Sequence, residues 1–313
     1  MTMLGILDIG SNTVHLLVIN PTPHAFPAPL AQERTIVPLM RHLDASGAIT
    51  DEGIELLLQS VRTAVAAAEQ YDIDEMVGMA TSALREIPNG PDVLRRVGEV
   101  AGTEIRVLTG TEEAEFTFIA ARRWAGWGAG RMLVCDIGGG SLQIAQGASG
   151  MPDQAFSLPL GSGRLTHQFI TSDPAAPEQR EALAEQVRAT LQHVTQPLAS
   201  AHRPDTVLGT SKVLRSLGRL AGHAHPRGGR VLRLDALADW TQRLGHMDLS
   251  QRLQLPGMTA ERAHHVYAGA VTATELMRAM QVDEMETCPW ALREGLLLQY
   301  IDPLGGHPHA DSE

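Results

Sequence analysis

The chain has 313 residues, of which 43% are hydrophobic, enough to fill two cores of ordinary size without a disulfide or a structural metal. A formal net charge of -11 excludes general nucleic-acid binding through a broad basic face, so a polyanion would have to be held by local amides, a metal ion and a few placed cations. No run approaches the roughly 18 apolar residues of a membrane span, and Asp8 and Gly10 interrupt the start before a leader's apolar region could be completed. The expectation is a cytoplasmic protein with no membrane partner, in which Cys135 and Cys288 are isolated, reduced thiols.

Leu4–Leu7 reads as a strand entering the turn Asp8-Ile9-Gly10-Ser11-Asn12-Thr13, and Val14–Ile19 as the strand leaving it. A Pro-rich loop from Pro21 to Pro29 leads to a third strand near Arg34–Leu39. From Thr50 to Tyr71 the pattern is helical, with Thr50 as N-cap and a stripe of Ile54, Leu57, Leu58, Val61 and Val65. Met76–Ala80 is a strand, Asp92–Ala101 a helix, Glu104–Leu108 a strand and Thr111–Trp124 a helix. The order then starts again. Met132–Cys135 enters Asp136-Ile137-Gly138-Gly139-Gly140-Ser141, Leu142–Ala145 leaves it, and Ala155–Leu158 is a third strand. Helices at Gln179–Leu198 and Ser211–Leu220 flank a strand at Thr206–Leu208, and Gly222–Gly229 reads as a loop. Helices at Leu237–Leu244 and Ala260–Met280, a strand at Glu284–Thr287 and a helix at Leu292–Tyr300 follow, and the Gly/His/Pro tail at 304–313 is expected to be disordered. Two strand–Asp-Ile-Gly–strand hairpins, each heading a similar series, argue for a duplicated α/β domain with a cleft between the copies. The copies are expected at 1–125 and 126–296, with the last helix, 297–303, returning to the first.

The triple-glycine turn points to phosphate. Without Cβ atoms, the amides of Gly138, Gly139 and Gly140 can approach an anion closely, while Asp136 and Ser141 reach the phosphate and its metal. An ordinary hairpin would need one glycine. Ser11, Asn12 and Thr13 supply further donors in the first copy. Leu208-Gly209-Thr210-Ser211-Lys212 runs from a strand into a helix start, where free N–H groups attract anions, although Thr210 or Ser211 could be a plain N-cap. Lys212 is the sole lysine among 25 basic residues, a compact ammonium kept in that turn. Arg85, just past a strand end, could aim a bidentate fork at phosphate oxygens. Glu112 and Glu113 open a helix, where acids are routinely stabilising; the alternative is Glu113 as a general base for an attacking water. The chain has no Walker A, G-x-G-x-x-G, H-E-x-x-H or G-x-S-x-G motif.

Taken together, Asp8-Ile-Gly-Ser-Asn-Thr, Thr81-Ser82-Ala83-Leu84-Arg85, Gly110-x-Glu112-Glu113-Ala114, Asp136-Ile-Gly-Gly-Gly-Ser and Trp290-Ala-Leu-Arg-Glu-Gly295 resemble the exopolyphosphatase/guanosine pentaphosphate phosphohydrolase (Ppx/GppA) family. Pro159-Leu160-Gly161 with Arg164, and Pro256-Gly257-Met258 with Arg262, add to the likeness, which is to the short forms of high-GC bacteria. The resemblance implies two ribonuclease-H-like domains of the actin/sugar-kinase-like ATPase superfamily, with an interdomain cleft. It implies release of terminal orthophosphate from inorganic polyphosphate or from guanosine pentaphosphate, with Mg²⁺ (or Mn²⁺), by a homodimer. Glu113 is then the catalytic base, Asp136 a second catalytic carboxylate, and Asp8, Asp136 and Gln143 the metal ligands. Ser11, Asn12, Thr13, Arg85, Gly138, Gly139, Gly140, Ser141, Thr210, Ser211 and Lys212 would hold phosphates. Three positions depart from the family pattern: Gln143 replaces a glutamate, Glu115 an arginine, and the Gly209 turn lacks a second glycine. With Gln143, a slow or inactive polyphosphate or alarmone sensor is the competing reading; a phosphotransfer kinase is disfavoured by Arg85 and the Glu112–Glu113 pair.

Overall fold

The computed structural model describes residues 3–10, 13–20, 29–81, 84, 87–200, 203–225 and 229–301. Ser11, Asn12 and Arg85, most of the Pro-rich stretch, and the tail at 304–313 lie outside the described residues. The leading hairpin forms as β1 (Leu4–Ile9) and β2 (Thr13–Ile19), paired antiparallel with Asp8 opposite His15. Its near-continuous apolar run is explained by two-sided burial. Leu7, Ile9, Val14, Leu16 and Val18 enter one core, while Leu4, Ile6, Leu17 and Ile19 enter another with Leu297.

β3 (Ala31–Ile36) begins three residues before the expected strand and ends short of Pro38, which has no N–H to give a ladder. It is an edge strand with exposed charges. The helix α1 (Asp51–Ala68) starts where expected: the Thr50 side chain accepts the Gly53 N–H at 3.3 Å. It buries Ile54, Leu57, Leu58 and Val61 against the sheet, with Val65 only partly covered. β4 (Glu75–Ala80), α2 (Gly90–Ala101) and β5 (Ile105–Val107) complete a five-stranded sheet of order β3-β2-β1-β4-β5, in which β1, β4 and β5 run parallel.

After α3 (Gly110–Ala125) the plan recurs. β6 (Met132–Ile137), β7 (Leu142–Gly147) and β8 (Gln154–Leu158) form an antiparallel meander. β9 (Thr206–Gly209) and β12 (Glu284–Thr287) add parallel strands to β6. The order β8-β7-β6-β9-β12 repeats that of the first sheet with the same pairing senses, so the duplication read from the two hairpins extends to topology. The stretch expected as a loop carries β10 (His223–Ala224), which with β11 (Arg230–Arg233) extends this sheet to seven strands; strands of two and four residues leave too little alternation to read.

The helices of this part are α4 (Ser162–Phe169), α5 (Pro177–Ser200), α6 (Lys212–Ala221), α7 (Leu234–His246), α8 (Leu249–Leu253), α9 (Ala260–Ala279) and α10 (Leu292–Ile301). α4 and α8 were not expected, because neither carries an apolar stripe; α8 is fixed by a capping box between Asp248 and Gln251. α9 is buried on nearly every side from Ala263 to Met277 and forms the middle of the core, packed by α4, α5, α6 and α7.

The chain divides into two compact units, one running to Gly110 and resuming at Leu296, the other spanning Thr111–Gly295. α3 therefore sits with the second unit rather than ending the first at 125. Its Ala114, Phe118 and Ala121 pack against Met132, Val134 and Ala145. In the first unit, Leu297 and Tyr300 of α10 pack beside Leu4 and Ile6. Among the described residues no helix is long and apolar enough to cross a membrane. Cys135 and Cys288 are buried and unpaired as disulfides, and burial pushes both thiols up to about 12. Neither is expected to label with a thiol reagent at neutral pH until the protein unfolds; rapid labelling of the native chain would contradict that burial.

Candidate active site

In the second unit, the Gly138 N–H donates to the Ser141 carbonyl at 2.9 Å and closes the turn between β6 and β7. The same bond, at 2.9 Å, joins Gly10 N–H to the Thr13 carbonyl in the first unit. The start of α4 then takes every glycine carbonyl of the second turn. Ser162 donates to Gly138 O from its N–H (2.9 Å) and its hydroxyl (3.1 Å), Arg164 N–H donates to Gly139 O (2.9 Å), and Arg164 Nε donates to Gly140 O (2.9 Å). With its carbonyls committed, the turn presents N–H groups: those of Gly139 and Gly140 meet no acceptor among the described residues. That polarity suits an anion.

This clamp requires Gly161. A Cβ there would lie 2.2 Å from Gly140 C and 2.3 Å from Ser141 N, against main chain that cannot swing away. Gly161→Ala is expected to cost about 1–3 kcal/mol through overpacking. It should also weaken phosphate binding at least about tenfold, since an amide that no longer reaches the bound phosphate forfeits a hydrogen bond of about 1.5 kcal/mol. Thermal melting and ligand titration check it; a folded variant with unchanged affinity would remove the turn from the site. Gly161 and Arg164 were visible in the sequence as part of the family resemblance, but their task was not.

Asp136, next to last in β6, is half-buried, with Gln143 opposite it across the antiparallel pair, so their side chains share one face of the sheet. Thr210, fully buried, donates its hydroxyl to Asp136 Oδ2. Burial pushes the Asp136 carboxyl above the usual carboxylate range. The Thr210 hydroxyl and the charges of Arg215 and Lys212 pull it down, and Glu294 pushes it up. Arg215 is half-buried, its guanidinium pushed down by that burial, and is a charge near Asp136 that the sequence did not single out. Ser211 is the N-cap of α6, its Oγ accepting the Leu214 N–H at 3.1 Å. Lys212 is the first residue of that helix.

Glu113, in the first turn of α3, is only 5% exposed, a burial that a merely helix-stabilising surface acid would not show. Gln143 Nε2 donates to Glu113 Oε2 at 2.9 Å and to Ser141 Oγ at 2.7 Å. The structure thus brings Glu113, Gln143 and Ser141 into one hydrogen-bonded group at the start of β7, and Asp136 and Thr210 into a second where β6 and β9 end. In the first unit, Asp8 holds the place on β1 that Asp136 holds on β6, with Thr13 at the start of β2. Its row Asp8–His15–Arg34 matches the row Asp136–Gln143–Ser157 of the second unit. Among the described residues, no three His, Cys, Asp or Glu side chains gather as a metal cage. Oxygen donors on Asp136 and Gln143 fit a hard cation that keeps most of its sphere for water and substrate oxygens.

The sequence profile of the Ppx/GppA phosphatase family matches residues 17–303. The chain is 39% identical to exopolyphosphatase 1 of Mycobacterium leprae over 96% of its length and 89% of the relative's. It is 40% identical to exopolyphosphatase 1 of Mycobacterium tuberculosis over 96% and 88%. Among solved structures, an exopolyphosphatase from Cytophaga hutchinsonii is similar with a TM-score of 0.85 at 22% identity, covering 96% of this chain and 98% of that one. A type II variant of the Aquifex aeolicus Ppx/GppA phosphatase gives 0.72 at 22%, covering 96% and 100%. At that identity the structural likeness speaks for the fold alone, two α/β units.

Proposed function

As the chain belongs to the Ppx/GppA phosphatase family, we propose that it is an exopolyphosphatase, removing terminal orthophosphate from short-chain inorganic polyphosphate. The observation that carries this is the glycine turn, whose glycine carbonyls are all clamped by Ser162 and Arg164 while the Gly139 and Gly140 amides meet no acceptor among the described residues, beside a buried carboxylate on Glu113. Glu113 accepts a proton from water as the water oxygen bonds to the terminal phosphorus and the anhydride P–O bond breaks in line, leaving a chain shorter by one phosphate. The amides of Gly139 and Gly140 and the hydroxyl of Ser141 stabilise equatorial phosphoryl oxygens. Lys212, with Ser11, Asn12, Thr13, Arg85 and Ser211, is assigned to phosphate binding; Thr210, expected among them, gives its N–H to the Cys135 carbonyl and its hydroxyl to Asp136, so it braces that carboxylate instead. Mg²⁺ or Mn²⁺, assigned to Asp8 and Asp136, with Gln143 Oε1 as the alternative third ligand tested below, would supply neutralisation of phosphate charge.

The same contacts would accept the triphosphate end of guanosine pentaphosphate, because every group assigned reads phosphoryl oxygens and none reads a base. A homodimer in the cytoplasm completes the proposal, the dimer being checked by light scattering. The deciding assay offers the purified protein with Mg²⁺ polyphosphates of graded length, guanosine pentaphosphate and ATP. Orthophosphate should come fastest from polyphosphate, and chelation of the metal should stop it. Tight binding of polyphosphate with no release would make the chain a sensor; transfer of label from ATP to an acceptor would make it a kinase.

A further inference from the structure

Gln143 lies on β7 between two groups of the site, 5% exposed, and its amide can serve both in one orientation only. An ionised carboxylate accepts and never donates, so the NH₂ end must face Glu113. One of its hydrogens goes to Glu113 Oε2 at 2.9 Å and the other to Ser141 Oγ at 2.7 Å. We propose that Gln143 is a positioning residue: through Nε2 it fixes the carboxylate of Glu113, and by filling an acceptor site on Ser141 it turns that hydroxyl's own hydrogen toward a phosphoryl oxygen. The inference rests on the proposed hydrolysis, because it takes Glu113 as the base.

The arrangement is specific to an amide. A metal-ligand role would use Oε1, whereas the two hydrogen bonds use Nε2, so the roles separate by substitution. Gln143→Met keeps the length of the side chain and loses both ends. Gln143→Glu keeps an oxygen for a cation but replaces the donor with a second acceptor facing Glu113. If Gln143 acts as a metal ligand, the glutamate variant works as well as the wild type or better. If it positions Glu113, both variants are slow, because the base is no longer held.

A base displaced by about 1 Å costs on the order of 10²-fold in rate. The expected result is a fall in kcat of roughly that size in both Gln143→Met and Gln143→Glu, with KM for polyphosphate and the half-saturating Mg²⁺ concentration unchanged within about a factor of two to three, because a Gln143 that only positions Glu113 holds neither the phosphate nor the cation. Crystal structures of the wild type and Gln143→Met, both without substrate, give a readout independent of turnover: the Glu113 carboxylate should leave β7 in the variant. A Gln143→Glu variant at or above the wild-type rate, a Gln143→Met defect cured by raising Mg²⁺, or a Glu113 carboxylate unmoved in the variant crystal would each overturn the proposal. A wild type that releases no phosphate would sink the reading of function, while the crystal comparison would still decide whether Gln143 positions Glu113.

Discussion

Glu113→Ala is expected to slow orthophosphate release by about 10²–10⁴-fold, the span of a positioned general base, while leaving polyphosphate binding intact or tighter. The reasoning starts from burial. A carboxylate 5% exposed in the first turn of α3 is not there to stabilise a helix end in solvent. It accepts from Gln143, itself held to Ser141, so it is oriented by β7 and the turn that leads into it rather than left to rotate. Binding should survive because the phosphate contacts assigned here are amides, hydroxyls and cations, and removing a negative charge eases the approach of a polyanion. Alanine leaves a buried Gln143 N–H without its acceptor, at a cost of about 1–3 kcal/mol, so the melting temperature should drop modestly. Equilibrium binding and single-turnover release separate the two effects. A variant that keeps a tenth or more of the wild-type rate would remove Glu113 from the chemistry.

Asp136→Asn should be nearly as damaging to rate, on the order of 10³-fold, since loss of metal assistance forfeits several kcal/mol of charge stabilisation. Yet it should not lower the stability of the metal-free protein. Burial raises the Asp136 pKa in the folded state, so ionisation there opposes folding. The sign follows directly: for an acid with a folded pKa above its unfolded value, stability is lost as pH rises above the ordinary aspartate range. An asparagine is neutral, can still accept the Thr210 hydroxyl, and is free of that cost. At neutral pH without metal, the variant is expected to melt at or above the wild-type temperature, and the difference should vanish in acid. A variant that melts well below the wild type would mean that Asp136 is a structural group and not a costly functional one.

Much of the fold was legible because its signals are local. The Asp-Ile-Gly hairpins, the Thr50 cap and the stripe of α1 each declare themselves within a few residues, and the repeat follows from reading the first two side by side. β10, β11, α4 and α8 were not legible, being too short to carry a period. At the site, residue types could be named but not their partners. Arg164 reaches a carbonyl 24 positions away, and Gln143 meets a glutamate 30 positions away. No spacing rule links them, since only the packing of α3 and α4 against β6 and β7 brings them together. Gln143 shows the limit most clearly. Its departure from the family's glutamate was visible as a missing charge, but that its nitrogen faces Glu113 emerges only in three dimensions.

The most direct test is to incubate the purified protein with Mg²⁺ and end-labelled polyphosphate, following both the orthophosphate freed and the lengths left behind. Stepwise loss of single phosphates from the chain end, abolished by chelation and by Glu113→Ala, is the result expected. Cleavage at internal linkages, or polyphosphate that is held but never shortened, would contradict the account.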